Sequence, residues 1–293
     1  MMGLDDIQAY LQGPALLAAL AGFGLIIGIL TGMFGVGGGF MVVPLLKLIF
    51  GIDYQLAVGS SLCFTIGASA SGAARHMRLR NFEPRSMAIL APASMIGAML
   101  GGTLNDILKS HVDAEMYTQS MHGLFVVMLL ATAYVTFSGA GKEAGRRSLL
   151  QTIVLGPRIN LPAAKLAGIS LPGLVSLGVF IGMMTGMMGI GGGVLYVPLL
   201  ILVVGLSPHV AVGTSLGVVL FGSIAGTVKY GMIGQVSLIV AMSLLIGSAV
   251  GIQIGAHVCK KMSGTRLRQS FAGMVFLLAV FIAADFVRNL LTD

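Results

Sequence analysis

An all-α polytopic membrane protein built from two inverted-topology repeats is the fold class that this sequence predicts. Three observations predict it: a composition too apolar for water, long runs without charge, and an internal repeat whose equivalent loops differ in charge. Of the 293 residues, 56% are hydrophobic and 9% are charged, with a mean hydropathy of +0.98. Soluble domains carry roughly 25% charged residues. In water this composition would leave large apolar patches exposed.

The uncharged runs locate the segments. No Asp, Glu, Lys or Arg occurs from Ile7 to Leu46, Ser86 to Asn105, Met116 to Gly141, or Leu166 to Val228. A helix crosses the hydrocarbon core with about 20 apolar residues. In lipid the backbone must pair within its own segment, so such runs read as helices. The alternating pattern of a transmembrane barrel is missing. The N-terminus carries Asp5 and Asp6 rather than a basic leader region, so the first apolar run is expected to stay in the membrane.

The first segment, Pro14 to Phe50, is too long for one crossing. At about 1.5 Å per residue it reaches about 55 Å, slightly short of two crossings. A hairpin of two short or re-entrant helices fits, with its turn near Gly35–Gly39. Helices at Gln55–Ala74, Ser86–Asn105 and Tyr117–Phe137 complete the half. The whole chain then has about five helical segments per half, eight to ten in total.

The second half repeats the first at an offset of 154 residues. Gly28-Ile-Leu-Thr31-Gly32-Met33-Phe-Gly35-Val-Gly37-Gly38-Gly39 aligns with Gly182-Met-Met-Thr185-Gly186-Met187-Met-Gly189-Ile-Gly191-Gly192-Gly193. Val43-Pro44-Leu-Leu aligns with Val197-Pro198-Leu-Leu. Ala57-Val-Gly59-Ser60-Ser61-Leu aligns with Ala211-Val-Gly213-Thr214-Ser215-Leu. Over residues 28–62, 19 of 35 positions are identical without a gap. Ser69 and Gly72 then pair with Ser223 and Gly226, and Arg75 with Lys229. The expected units are 1–137, a basic cytoplasmic linker at 138–169, and 170–293.

Positive charge marks cytoplasmic loops. The loop with Arg75, Arg78, Arg80 and Arg85 is placed inside, as is the linker with Lys142, Arg146, Arg147, Arg158 and Lys165. The equivalent of the first loop, around Lys229, is nearly charge-free and falls outside. The repeats are therefore expected to be inverted, as in many secondary transporters. Both termini are expected in the periplasm.

Chemistry concentrates at the glycine clusters. Glycine accepts positive φ and lets a ligand approach the backbone. The helix that follows begins with free N–H groups and the positive end of its dipole, which favours anions. Substrate contacts are expected at Gly37, Gly38, Gly39, Gly191, Gly192 and Gly193. Close helix packing is the competing reading. Ser60, Ser61, Thr214 and Ser215 are read as opening helices, where a hydroxyl serves either as a cap or as a neutral donor to an anion. Thr31 and Thr185 share that ambiguity. Arg75 and Lys229 stand at the pathway mouths. The competing readings are a positive-inside anchor and a snorkelling lysine.

Other chemistries lack their residues. Neither glycine cluster is followed by the Lys-Ser/Thr of a nucleotide loop. Cys63, Cys259 and five scattered histidines give no metal-ligand spacing, and no cofactor is expected. The net charge of +7 lies in short loops rather than in a nucleic-acid-binding patch. No catalytic constellation suggests an enzyme.

The paired glycine clusters, the Pro44-Leu-Leu and Pro198-Leu-Leu that follow, and Ala57–Ser61 with Ala211–Ser215 make the chain resemble the TauE/SafE family of permeases. The resemblance covers nearly the whole chain. It implies a bacterial inner-membrane transporter exporting small sulfur-containing anions such as sulfite or sulfoacetate-like organosulfonates. Alternating access around a midplane site is the expected mechanism. An anion channel on the same scaffold, or a permease for another small organic anion, is the alternative. Expected partners are the anion, the bilayer and, as one option, a second copy of the chain.

Overall fold

The computed structural model describes residues 14–138, 149–152, 156–164 and 166–292. The expected periplasmic N-terminus, and the linker basics Lys142, Arg146, Arg147 and Lys165, lie outside the described residues. The first half contains α1 (Pro14–Phe34), α2 (Gly39–Leu48), α3 (Tyr54–Arg78), α4 (Pro84–His111) and α5 (Ala114–Ser138). After a single turn, α6 (Leu149–Thr152), strands β1 (Arg158–Leu161) and β2 (Leu166–Ser170) pair antiparallel. The second half contains α7 (Leu171–Met188), α8 (Gly193–Leu199), α9 (Pro208–Met232), α10 (Leu238–Lys261) and α11 (Gly264–Thr292). Eight helices among the described residues are long and apolar enough to cross a membrane. The protein is thus a polytopic α-helical membrane protein.

Local chemistry sets the helix ends. Asp53 caps α3 by accepting from the Gln55 amide at 3.2 Å. Glu83 caps α4 by accepting from the Arg85 amide, with Pro84 in the first turn, where its missing N–H costs nothing. Ser170 caps α7 the same way through Gly173. Pro44 and Pro198 interrupt the short helices α2 and α8. Beyond Pro198 the helix continues as a wider π turn, Leu200–Val204.

Three details differ from the sequence reading. The Pro14–Phe50 hairpin is asymmetric: α1 has 21 residues and α2 has 10. Between them the chain breaks at residues 35–38, where three of the four residues are glycines of positive φ. Ser60-Ser61 and Thr214-Ser215 do not open helices, because Asp53 and Ser207 start α3 and α9 a turn and a half earlier. Within the expected all-α fold, the linker region carries one small hairpin, β1 with β2.

Packing between the halves is reciprocal. Gly24, Gly28 and Gly32 of α1 lie against Leu244, Ser248 and Ile252 of α10. Gly247, Gly251 and Gly255 of α10 return the contact to Ala21, Leu25 and Ile29. The same stripe recurs between α4 (Gly97, Gly101) and α7 (Gly182, Gly186). A Cβ at most of these glycines would overlap the facing backbone. Small residues let helices approach closely enough for backbone dispersion contacts, which drive association where lipid replaces water. Both stripes ascend together, so α1 runs parallel to α10 and α4 parallel to α7. In contrast, Gly59 near the start of α3 meets Gln235 just past the end of α9, and Gly213 near the start of α9 meets Asn81 just past the end of α3. The equivalent helices α3 and α9 are therefore antiparallel neighbours. They form the centre: 72% of each is buried, against 33–44% of the other six spans. The perimeter is apolar, with Ile96, Val127, Ile246 and Leu277 all more than half exposed. Such a surface suits lipid.

Candidate functional site: the meeting of two glycine breaks

The first break leaves α1 near the C-terminal end of α3, where the Gly32 carbonyl accepts from His76 Nε2 at 2.9 Å. It then descends to the middle of α3, because Gly37 lies against Thr65 and Ser69. Helix α2 starts there. The second break makes the mirrored descent, and the two meet. A Cβ on Gly39 would lie 2.6 Å from the Gly189 oxygen, and one on Gly193 would overlap the Val36 backbone. Only glycine fits this approach. Gly35, Gly37 and Gly38 have φ of 73°, 74° and 83°, and Gly189, Gly191 and Gly192 have 68°, 71° and 74°. A side chain in this left-handed region costs roughly 1–2 kcal/mol per residue.

Serines tie the breaks to the opposite half. Ser61 Oγ donates to the Gly189 carbonyl at 3.0 Å and to that of Gly39 at 3.3 Å. Its equivalent, Ser215, donates to the Gly35 carbonyl at 2.8 Å and also to Val212. Each break is thus held by a serine from the other repeat. Ser60 and Thr214 serve the loops instead. Ser60 Oγ accepts from the Ser237 amide and Thr214 Oγ1 from the Glu83 amide, both at 2.9 Å. All four hydroxyls have protein partners, and each makes at least one bond to a residue 128 to 180 positions away. The buried carboxylate of Glu83 also accepts from the Ala164 amide at 2.7 Å, which pins the β-hairpin to the same loop.

The breaks themselves keep free donors. Residues 35–39 and 189–193 are buried. Among the described residues, no protein acceptor is bonded to the amides of Gly37, Gly38, Gly39, Gly191, Gly192 or Gly193. Gly38 and Gly192 are left-handed and stand directly before the first helical residues Gly39 and Gly193, an alternation of hand that forms a backbone concavity able to gather N–H groups toward an anion. Beside them lie buried hydroxyls without partners, Thr31 Oγ1 at Gly38 and Ser69 Oγ at Gly37; Ser223 Oγ, the repeat equivalent of Ser69, is likewise buried without a partner. Thr185 instead donates to Ile181 at 2.9 Å. Thr65 contacts both Gly37 and Gly191, as does Val219, its counterpart in the other repeat. Donors without formal charge, in a dry centre, suit a small oxyanion.

Sequence reasoning passed over Thr65, Ser69 and Ser223 as site residues. The identity of Ser69 with Ser223 was a signal, whereas Thr65 faces a valine in its repeat partner and carries none. The two mouth residues part company. Lys229 Nζ is ion-paired with Asp106 at 2.7 Å. Asp106 also accepts from Gln55, and Lys109 bridges Gln55 and Asp53. Arg75 has a buried Nε with no partner. An exposed or half-exposed pair contributes only about 0–1 kcal/mol, so this cluster orders the local side chains more than it stabilises the fold. Asp106→Asn is expected to leave the thermal midpoint nearly unchanged while speeding anion entry at that mouth at low salt. The gain should vanish near 1 M salt, where the Debye length is about 3 Å. Initial flux rates against ionic strength measure it.

Paired broken helices meeting inside a bundle of membrane-spanning helices define the class: an α-helical membrane transporter. The model of the sulfite exporter TauE/SafE family matches residues 20–282, and the chain belongs to that family. It is 24% identical to the probable membrane transporter protein YunE of Bacillus subtilis, covering 82% of this chain and 87% of the relative. It is 27% identical to a probable membrane transporter protein of Methanocaldococcus jannaschii, covering 91% and 95%. A shorter match, 29% identical, is to the sulfite exporter TauE/SafE family protein 3 of Arabidopsis thaliana, over 39% of this chain and 25% of that protein. No solved structure matches.

Proposed function

We propose that this protein exports small sulfur-containing anions, such as sulfite or sulfoacetate-like organosulfonates, by alternating access around the meeting point of its two glycine breaks. One observation carries the reading: six buried glycine amides without protein acceptors lie where the two breaks meet, with partnerless Thr31 and Ser69 beside them. An anion bound there is held by backbone dipoles of both halves. Ser61 and Ser215 set the shape of the breaks and meet the substrate as the breaks move. Thr185, Ser60 and Thr214 support that frame.

The halves are read as inverted repeats, a reading supported by the antiparallel contact of α3 with α9. The units 1–137 and 170–293 then rock about the shared centre, with residues 138–169 in the cytoplasm and both termini in the periplasm of a bacterial inner membrane. Arg75 and Lys229 guard opposite mouths and raise the local anion concentration. The potential across such a membrane, negative inside, drives anions outward by about 2.3 kcal/mol per charge per 100 mV.

A thermal-shift screen of the purified protein tests the substrate class. Sulfite and sulfoacetate are expected to raise the midpoint more than taurine, whose ammonium has no acceptor among these donors. A ligand at 100 times its Kd adds about 2.7 kcal/mol. Stabilisation by cations or neutral solutes alone would refute the anion site.

A further inference from the structure

The two repeats place different groups at one equivalent position, 154 residues apart: His76 in α3 and Tyr230 in α9. Both side chains reach the same carbonyl of their own repeat. His76 Nε2 bonds the Gly32 oxygen at 2.9 Å, and Tyr230 OH donates to the Gly186 oxygen at 2.9 Å. Gly32 and Gly186 sit three residues before the glycine breaks. Each ring therefore fixes the point where a broken segment turns inward.

Their remaining bonding differs. Tyr230 OH also accepts from Asn105 Nδ2 at 2.5 Å, and Asn105 Oδ1 accepts from Tyr117 OH at 2.6 Å. That end is closed by a satisfied network. The equivalents of Asn105 and Tyr117 are Cys259 and Phe271, which cannot supply it. His76 is fully buried, and its Nδ1 has no partner. A carbonyl can only accept, so Nε2 carries the proton and Nδ1 is a bare acceptor.

We infer that His76 is the proton-binding residue of the transport cycle, taking up a proton at Nδ1 when the Arg75 end opens and releasing it before that end closes. This rests on the alternating-access reading above. In the closed arrangement a proton on Nδ1 would place a charge and a donor where no acceptor waits. Among the described residues the ionisable groups acting on it are Arg75 on its own helix and His209 at the start of α9, both basic; α1 carries none, and the buried carboxylate of Glu83, in the loop after α3, is engaged with the Arg85 and Ala164 amides. Opening admits water to Nδ1 and removes that penalty. By linkage, acid favours the open form of this end and alkali the closed form. The tyrosine end does not respond, because a phenol does not change charge in this range. Proton sensitivity is thus confined to one side: the proton taken up there returns to the same side, so pH gates that end without a proton being carried across. Imidazole is the side chain whose ordinary titration spans about pH 5–8.

Hydrogen–deuterium exchange of segment 32–39, corrected for the chemical exchange rate, tests this on the full-length protein. In the wild type, opening should increase about tenfold from pH 8 to pH 5.5. In His76→Gln, which keeps a donor for Gly32 but cannot titrate, that dependence should vanish. His76→Tyr, copying the other repeat, is the second variant, and Tyr230→Phe should keep the wild-type dependence. An unchanged pH dependence in both His76 variants, or none in the wild type, overturns the proposal. Proteoliposome flux at the two pH values gives a separate readout. If no anion moves in any variant, the transport reading fails, while the exchange ratio still decides the role of His76.

Discussion

Gly193→Ala is expected to abolish anion binding and transport, with the largest effect of any single methyl group in the chain. The added Cβ would overlap the Val36 backbone, which belongs to the other half. No rotamer change relieves an overlap with backbone, so the two breaks must separate. In a packed interior the surroundings relax only partly, and overpacking costs roughly 1–3 kcal/mol. Binding suffers more than folding, because the shared site needs both sets of amides at once. Misplacing a donor by about 1 Å can cost about 100-fold. The measurement is anion affinity by calorimetry beside the thermal midpoint. The contrasting control is Gly22→Ala, where a Cβ meets nothing within 4 Å. Loss of affinity in Gly193→Ala, with a midpoint lowered only by the few degrees that this overpacking implies, fits the account. Equal affinity in the two variants would contradict it.

The double replacement Ser61→Ala with Ser215→Ala should be the most destabilising pair of polar changes. Each serine satisfies a buried carbonyl of the opposite break. Leaving a buried acceptor unpaired costs about 1–3 kcal/mol. Since the two ties sit at one junction, their losses should not simply add. Either single change leaves one break anchored and should weaken anion binding severalfold. The double change frees both and should lower the midpoint clearly beyond either single variant. Thermal unfolding of all four proteins in the same detergent closes the cycle. Single and double variants indistinguishable from wild type would return both serines to ordinary helix back-bonding.

Much of this site was legible in the sequence because glycine is the one residue whose absence of a side chain is itself a signal. Two clusters at a fixed offset mark two special backbones, and the Pro-Leu-Leu after each marks the short helix that follows. The depth at which the clusters meet was not legible. It depends on the contact between Gly39 and Gly189, 150 residues apart, which no local pattern encodes. The role of Ser61 and Ser215 was half legible. Their repeat identity pointed to a shared task, but their partners lie across the repeat boundary. The helix starts lie before Ser60 and Thr214 because the Asp53 side chain caps α3 and Pro208 opens α9. The sequence set a pathway-mouth reading of Lys229 against a snorkelling one and did not show its ion pair, because its partner Asp106 is matched by Lys260 in the other repeat. Symmetry in sequence hides an ion pair that exists at one end alone. His76 drew no attention as one of five scattered histidines, and only its geometry beside Gly32 singles it out.

The central claim is that one small anion binds where residues 37–39 and 191–193 face each other. Selenite, a heavier analogue of sulfite, makes it directly visible. An anomalous difference map from crystals soaked with selenite should show a single strong peak between the two glycine breaks, within hydrogen-bonding distance of their amides. A peak only beside Lys229 or Arg75, with nothing at the breaks, would contradict the account.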